Sequence, residues 1–441
     1  MEIEFKNTGM IEEAGIELNG LSVIAGKNDT GKSTIGKLLF SIIKTFNRYE
    51  RDARLHQVRS IRSLIDRYVA DSRKSSGDLS EAEKAIGDEL KNRALALLDT
   101  EQTQDEVEAV LAETVRGFGD ADDERGGGTP PELIDLAHRI ATVIIKKPTP
   151  EDVFKRSFLL YINALLSGNV ANKFSGNGTF SITGKEGDLT IFSVYGTPSS
   201  TDIRLNDRLH FTDATFFESP AFLSLAGTIR FAKTEFDKAG HTKQEAESLE
   251  KAYVPEYIRD LILKLTDRPT RGKKSRIADS IRHIIGGEFY YDPQLRDFVF
   301  EKKNHQFVGV SVTPGVKFLG AIGILSLSEF ITGNSLLVID EPETHMHPQW
   351  QIKFASVLVQ LVKEGNFILV TSHSPYFIEA LKLYSDKYLE EKKTSFYLNR
   401  VIEDKEATAR VNYVTHDISP VLEILGEPFR QLERFEAGFD E

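Results

Sequence analysis

Three short runs carry residues whose types and spacing can do chemistry. The first is Gly26-Lys27-Asn28-Asp29-Thr30-Gly31-Lys32-Ser33-Thr34. It fits G-x-x-x-x-G-K-[ST] at every fixed position, the pattern of a loop that cradles phosphate. The glycines permit a tight turn whose backbone N–H groups point inward at phosphate oxygens. Lys32 is placed to reach β- and γ-phosphates, and the Ser33 hydroxyl to ligate Mg²⁺. A helix starting there adds its positive dipole end. The second run, Ser335–Pro342, is apolar until it ends in two adjacent carboxylates, Asp340 and Glu341. Asp340 suits the shell of Mg²⁺, and Glu341 suits polarising a water for attack on a γ-phosphate. The third run, Asn366–Pro375, ends in a polar cluster around His373. A histidine at a neighbouring strand end can reach the same phosphate.

These runs need elements to hold them. Leu21–Ala25 is an apolar strand just before the phosphate loop. After it, Ile35, Leu38, Leu39, Ile42, Ile43 and Phe46 recur at three- and four-residue spacing, which predicts a helix with one buried stripe. Residues 2–24 predict strands at IEF, IEL and LSVIAG. From residue 48 strand signals vanish, and helices are expected at Ser80–Leu98 and Asp105–Arg116, with a break at Gly126–Pro131. Strands return at TFSIT, LTIFSVY and TDATFF within 178–217. Residues 229–265 predict helix, with Leu249, Tyr253, Tyr257 and Leu261 at helical spacing. A loop spans 266–276, followed by short strands at EFYYD and FVFEK. Strands alternating with helices at both ends predict an α/β fold, a mixed sheet flanked by helices. Residues 1–47, 170–235 and 300–441 would form this unit. Residues 48–169 would be a mostly helical insertion and 236–299 a second helical or mixed one.

Composition narrows the class. The 441 residues are 40% hydrophobic and 28% charged, ordinary globular usage. With 55 Lys and Arg against 67 Asp and Glu, the net charge of −12 excludes a uniformly basic nucleic-acid wrapper. Two basic stretches, from Lys44 to Lys74 and from Lys264 to Arg282, run against that mean and are candidate contacts for nucleic acid. There is no Cys, so thiolate metal sites and a Cys nucleophile are excluded. MEIEFKNTGM does not read as a secretion signal, and Phe318–Ile331 is too short and polar for a membrane span. A cytoplasmic protein without a membrane anchor is expected.

Taken together, the three runs resemble the P-loop heads of ABC-type ATPases in the SMC-like and overcoming-lysogenization-defect-like AAA family. The likeness covers roughly residues 1–47 and 310–380. GKNDTGKST resembles the family's Walker A, LLVIDEPETHMHP its Walker B, catalytic Glu and D-loop, and LVTSHSP its H-motif. The resemblance implies ATP and Mg²⁺, with Lys32 and Ser33 on phosphate and metal, and Asp340 on the metal. It implies Glu341 as general base and His373 as γ-phosphate sensor. It also implies a homodimer or higher oligomer with ATP sandwiched between heads. A signature segment then comes from the partner, and its counterpart here is Ser311–Lys317, with Thr313 and Gly315 toward the nucleotide. Pro314 stands where the family has Ser, and Pro offers neither hydroxyl nor N–H, which implies slow hydrolysis. Glu218, in Phe216–Pro220, resembles the segment that senses metal or water. Residues 343–348 would face the partner head. His345 and His347 alternatively form a His-x-His metal pair with Glu343. About 68 residues follow His373, too few for a nuclease domain. The chain therefore resembles the ATPase subunits of anti-phage systems, which regulate a separate effector such as a nuclease or toxin. The alternative is a DNA-binding SMC-like repair or chromosome-maintenance ATPase.

Overall fold

The computed structural model describes residues 1–47, 49–76, 81–98, 100, 102–119, 131–146, 149–166, 170–172, 178–197, 200–230, 254–402 and 408–436. The strands are β1 (Glu2–Thr8), β2 (Ile11–Glu17), β3 (Leu21–Ala25), β4 (Phe180–Glu186), β5 (Leu189–Thr197), β6 (Ser200–Leu205) and β7 (Asp213–Phe217). They continue with β8 (Glu288–Asp292), β9 (Asp297–Lys302), β10 (His305–Val308), β11 (Ser335–Asp340), β12 (Phe367–Ser372), β13 (Thr394–Val401) and β14 (Ala409–Tyr413). The helices used below are α1 (Lys32–Asn47), α2 (Tyr49–Ser76), α3 (Glu81–Leu97), α4 (Gln104–Gly119), α5 (Pro131–Ile145) and α6 (Pro150–Leu166). Later ones are α7 (Glu256–Thr266), α8 (Arg276–Ile285), α9 (Pro314–Leu327), α10 (Pro348–Lys363), α11 (Pro375–Tyr388), α12 (Ser419–Leu425) and α13 (Glu427–Glu436).

The chain divides into two units, Met1–Asn47 with Phe158–Glu441, and Arg48–Ser157. In the first, eleven strands form one sheet in the order β6-β5-β4-β1-β2-β14-β13-β3-β12-β11-β7. The half from β13 to β7 is parallel, and β1, β2, β4, β5 and β6 pair antiparallel. This is a mixed α/β sheet flanked by helices. β3 (LSVIA) and β11 (SLLVID) are buried at every position, as strands covered on both faces must be. β1 instead alternates, with Ile3 and Phe5 buried. Helix α1 lies close on the sheet because of Gly36. A Cβ there would come 2.8 Å from Val338 Cγ1 and 2.9 Å from Phe216 Cε2. Residues 256–302 also fold within this unit, including a second, antiparallel sheet in the order β10-β9-β8.

Among the described residues, β6, α8 and β10 had no counterpart in the sequence reading. For α8 the signal was present. Ser275 caps it by accepting from Ala278 N at 3.0 Å, Gly286 closes it with φ 70°, and Ile277, Ile281 and Ile285 share one face. The second unit is helical: Ile61 and Ile65 of α2, Leu90 and Ala94 of α3, Val107 and Leu111 of α4, and Leu136 and Ile140 of α5 form one apolar core. Gln57 donates to the carbonyls of Val143 and Ile144, closing the end of α5. The break expected at 126–130 and the helical positions Leu249 and Tyr253 lie outside the described residues. Among the described residues no helix is long and apolar enough to cross a membrane.

Two cations of the basic stretches point inward. Lys44 of α1 and Lys264 of α7 share Asp213 at the start of β7 and Asp260 of α7. Lys44 Nζ lies 2.7 Å from Asp260 Oδ1, and Lys264 Nζ lies 2.5 Å from Asp213 Oδ2. Lys264 also donates to Ala214 O and Thr215 Oγ1. Burial opposes the charge of Asp213, but Lys264 and Lys44 hold its carboxyl below the ordinary aspartate value. Burial lowers Lys264, whereas Lys44 is held above the usual lysine value, against burial, by Asp260 and Asp213. Around them Arg271 pairs with Glu301, Arg268 with Glu329, and Arg282 with Asp279 and Glu288.

Because the folded Asp213 has the lower pKa, protonation favours the unfolded chain. Its contribution is whole above about pH 4 and is lost as pH falls through the depressed folded value. Asp213→Asn is expected to lower stability at pH 7 by about 2–3 kcal/mol, since it leaves buried lysine charge under-paired. In denaturant titrations the gap from the parent chain should narrow below about pH 4. A gap constant from pH 7 to pH 3 would refute the assignment.

Candidate functional site

The parallel strands end at one level. Ala25 of β3 stands opposite Ser372 of β12 and Leu398 of β13, Asp340 of β11 opposite Thr371, and Ile339 opposite Phe217 of β7. The chain therefore leaves four neighbouring carboxyl-terminal strand ends into four adjacent loops, where ligands sit in open α/β sheets. Those loops are the phosphate loop, His373–Ser374, Glu341 onward, and Glu218–Ser219.

The phosphate loop is built tightly. Asp29 and Gly31 take φ of 59° and 88°, the left-handed region that suits glycine and is reached by short polar residues. Lys27, Asn28 and Asp29 are exposed at its rim, while Gly26, Thr30 and Lys32 are buried. Thr30 Oγ1 donates to Lys27 O at 3.0 Å, and Thr34 N donates to Gly31 O at 3.1 Å as α1 begins. Lys32 Nζ donates to Lys27 O at 2.7 Å and lies 3.4 Å from Glu341 Oε1. Gly26 N donates to Ser372 O. One residue of this cradle is new: Asn399 of β13, 369 positions from Thr30 in sequence, is buried behind the loop and donates to Thr30 O at 2.9 Å. A Cβ on Gly26 would come 2.5 Å from Asn399 O. Nothing in the spacing around Asn399 marks it, because its partner is distant in sequence.

The paired acids separate by burial. Asp340 is buried and accepts from Thr371 Oγ1. Burial pushes its carboxyl up, opposed by hydrogen bonds from Thr371 and Ser33, while Glu218 and Glu341 add like charge. Glu341 is half-buried, with φ 45° and ψ 54°, a left-handed conformation that costs a non-glycine residue about 1 kcal/mol. Its N–H donates to Thr371 O at 3.2 Å. His373 Nδ1 lies 3.5 Å from Glu341 Oε1 and 3.3 Å from Glu343 Oε1. His373 holds the Glu341 carboxyl below the ordinary range, with burial opposing and Lys32 assisting. In turn Glu341 raises His373, against burial, and Glu343 adds to the rise.

Lys32, Ser33, Asp340, Glu341 and His373 thus meet at one place. Glu218 stands at the end of β7, where Lys37 Nζ donates to its Oε1 at 2.9 Å and Tyr257 OH to its Oε2 at 2.6 Å. Thr313 and Gly315 form no hydrogen bond with this cluster among the described residues. Thr313 is exposed just before α9, whereas Gly315 is buried, where a Cβ would come 2.5 Å from His345 O and 3.4 Å from Trp350 Cζ3. Residues 343–348 do not all face outward. Glu343 turns into the protein and is 5% exposed, accepting from Ser372 Oγ, His373 N and Ser374 N. His347 accepts from Gln349 N as the cap of α10, and burial lowers His345. Among the described residues, His345, His347 and Glu343 form no group that could hold a metal.

The donor set fits a nucleotide with a divalent cation. Ser33 hydroxyl and Asp340 carboxylate are the hard oxygen ligands that Mg²⁺ takes. A buried carboxyl whose charge is disfavoured gains from a cation beside it. Lys32 presents a buried ammonium to the loop, so an entering phosphate would replace its carbonyl partner with a stronger, charged one.

Residues 319–378 match the AAA ATPase domain family, a stretch that includes Asp340, Glu341, Glu343 and His373. No curated protein matches the chain in sequence. Among solved structures it is similar to the SMC head domain from Thermotoga maritima, at 10% identity and a TM-score of 0.39, covering 94% of this chain and 98% of that one. It is also similar to the Smc head domain with an extended coiled coil, bound to the C-terminal domain of ScpA, from Pyrococcus furiosus. That likeness has 10% identity and a TM-score of 0.41, covering 97% and 98%.

The closeness of Gly26 to Asn399 makes a specific demand on the loop. Gly26→Ala should weaken nucleotide binding at least ten-fold by calorimetry while leaving far-UV circular dichroism unchanged. Unchanged affinity would show that the loop tolerates displacement from β13. The loop, the acids and the histidine gather at the ends of a parallel half-sheet, and the stretch that matches the AAA ATPase domain family, residues 319–378, supplies two of its strands.

Proposed function

We propose that the chain hydrolyses ATP with Mg²⁺ and that its head closes on a second copy with nucleotide sandwiched between them. Closure and reopening hold or release a separately encoded effector, a nuclease or toxin, in defence against phage. The observation that carries the ATPase part is the convergence of two groups on Glu341 Oε1: Lys32 Nζ at 3.4 Å and His373 Nδ1 at 3.5 Å. Lys32 neutralises β- and γ-phosphate oxygens, and the inward N–H groups of Gly26–Ser33 fix them. Ser33 and Asp340 would hold the metal, which would supply charge neutralisation at the phosphates. Glu341, kept ionised by its neighbours, accepts the proton of the attacking water. His373 keeps that carboxylate in place and donates toward the γ-phosphate. Thr313 and the first turn of α9 serve the nucleotide of the opposing head, and the missing hydroxyl at Pro314 makes turnover slow. Glu218 holds the water or metal side of the site.

The resemblance of the motifs to ATPase subunits of anti-phage systems supports the defence reading. Pairing of Arg268, Arg271 and Arg282 with acids of the chain also favours a protein effector over nucleic acid. The DNA-binding reading rests on Lys273 and Lys274, which are exposed.

Lys32→Ala and Glu341→Gln should each lower ATP turnover by about 100-fold or more. Glu341→Gln should keep ATP bound and elute as a dimer with ATP, whereas Lys32→Ala should not. Turnover that survives both changes sinks the site assignment. Cells carrying the gene with its neighbours should resist phage, and lose resistance with Lys32→Ala. Duplex DNA binding at low salt that disappears on Lys273→Ala with Lys274→Ala would instead establish the second reading.

A further inference from the structure

Glu343 is a carboxylate buried beside the candidate site, and no step above uses it. It is 5% exposed, and its position two residues after Glu341 gave no reason to expect it inside. Burial pushes its carboxyl up, opposed by the hydrogen bond from Ser372. A buried acid persists only where specific partners repay its desolvation. Here the partners all belong to the histidine loop. Glu343 Oε1 accepts from Ser372 Oγ at 2.7 Å, from His373 N at 2.6 Å and from Ser374 N at 3.2 Å. It also lies 3.3 Å from His373 Nδ1. One oxygen therefore gathers the backbone on both sides of His373 and faces its ring.

The other side of the turn is held as well. Gln351 of α10 donates to Glu343 O and Met346 O, and its Oε1 accepts from Ser374 Oγ at 2.7 Å. Ser374 Oγ in turn caps α11 by accepting from Phe377 N. The acid turn, the histidine loop and the starts of two helices are thus one hydrogen-bonded unit. Glu341 and His373 belong to different strand ends, and their separation depends on this unit.

We propose that Glu343 is a positioning residue for ATP hydrolysis: by clasping residues 372–374 it sets the distance and ring orientation of His373 against Glu341. This rests on the ATPase reading above. Glu343 does not touch nucleotide in this role. Removing it loosens His373 and Glu341 together while leaving the phosphate loop intact, so the loss appears in turnover and not in nucleotide affinity.

The test is a double-mutant cycle on the full chain, measuring kcat, KM and ATP affinity for Glu343→Ala, His373→Ala and the pair. The expected result is a fall in kcat of at least ten-fold for Glu343→Ala, ATP affinity within about three-fold of the parent, and no further loss in the pair beyond His373→Ala. Non-additivity of that kind marks residues acting through one another. Glu343→Gln keeps a carbonyl oxygen to accept the three bonds, and should recover most of the lost kcat. It also keeps the test readable should the alanine variant fail to fold, when Glu343→Gln with His373→Ala must show no loss beyond His373→Ala. Losses that multiply, a loss confined to ATP affinity, or an unchanged kcat in Glu343→Ala each overturn the proposal. Lys32→Ala separates the two levels. If it leaves turnover intact, the ATPase reading fails and the role of Glu343 with it; if it abolishes turnover while the cycle is additive, only the role of Glu343 fails.

Discussion

The site exists because β3, β12, β11 and β7 run parallel and end at one level, beside the parallel β13. A parallel strand leaves the sheet at the same edge as its neighbour, so loops from distant parts of the chain emerge side by side. Ala25, Ser372 and Asp340 occupy adjoining strands at that edge. β3, β12 and β11 reach it by being buried at nearly every position, which secures them in the middle of the sheet, and Asp340, Thr371 and Ser372 cluster at its end.

Ending a buried strand leaves donors and acceptors to satisfy, and this chain satisfies them with each other. Thr371 serves both acids, donating its hydroxyl to Asp340 and offering its carbonyl to Glu341 N. Asn399 holds Thr30 O, and Gly26 N finds Ser372 O. Each loop is therefore braced by the neighbouring strand, and the phosphate loop is fixed from behind as well as by its own turn.

Charge follows the same logic at two places. At the site, Lys32, Glu341, His373 and Glu343 alternate in sign when His373 is protonated. Away from it, Lys44, Asp213, Lys264 and Asp260 tie α1 to β7 and α7. Buried pairs of this kind add little net stability, but breaking one leaves an unpaired charge, so they hold geometry firmly. The helix that carries Lys32 and the strand that presents Glu218 are thereby linked at their far ends.

Local pattern was enough for much of this. The phosphate loop, the paired acids and His373 were each visible as a polar cluster after an apolar run, because a buried strand and its exit have a signature within ten residues. The stripe of α1 was visible for the same reason. Helix α8 carried its cap, its period and its closing glycine, and was passed over among the basic residues around it. Other features had no local trace. The order of strands, with β14 between β2 and β13, depends on pairings hundreds of residues apart. Lys44 and Lys264 looked like surface charge, since a lysine's burial is decided by whether distant acids meet it. Asn399 and Glu343 took their places only when β13 closed on the phosphate loop and the acid turn closed on the histidine loop. By itself, then, the sequence determined which groups are candidates for chemistry, because those sit in short contiguous runs. The tertiary structure alone decided how those runs are braced against one another, because the contacts made by Asn399, Thr371 and Glu343 join segments far apart in the chain.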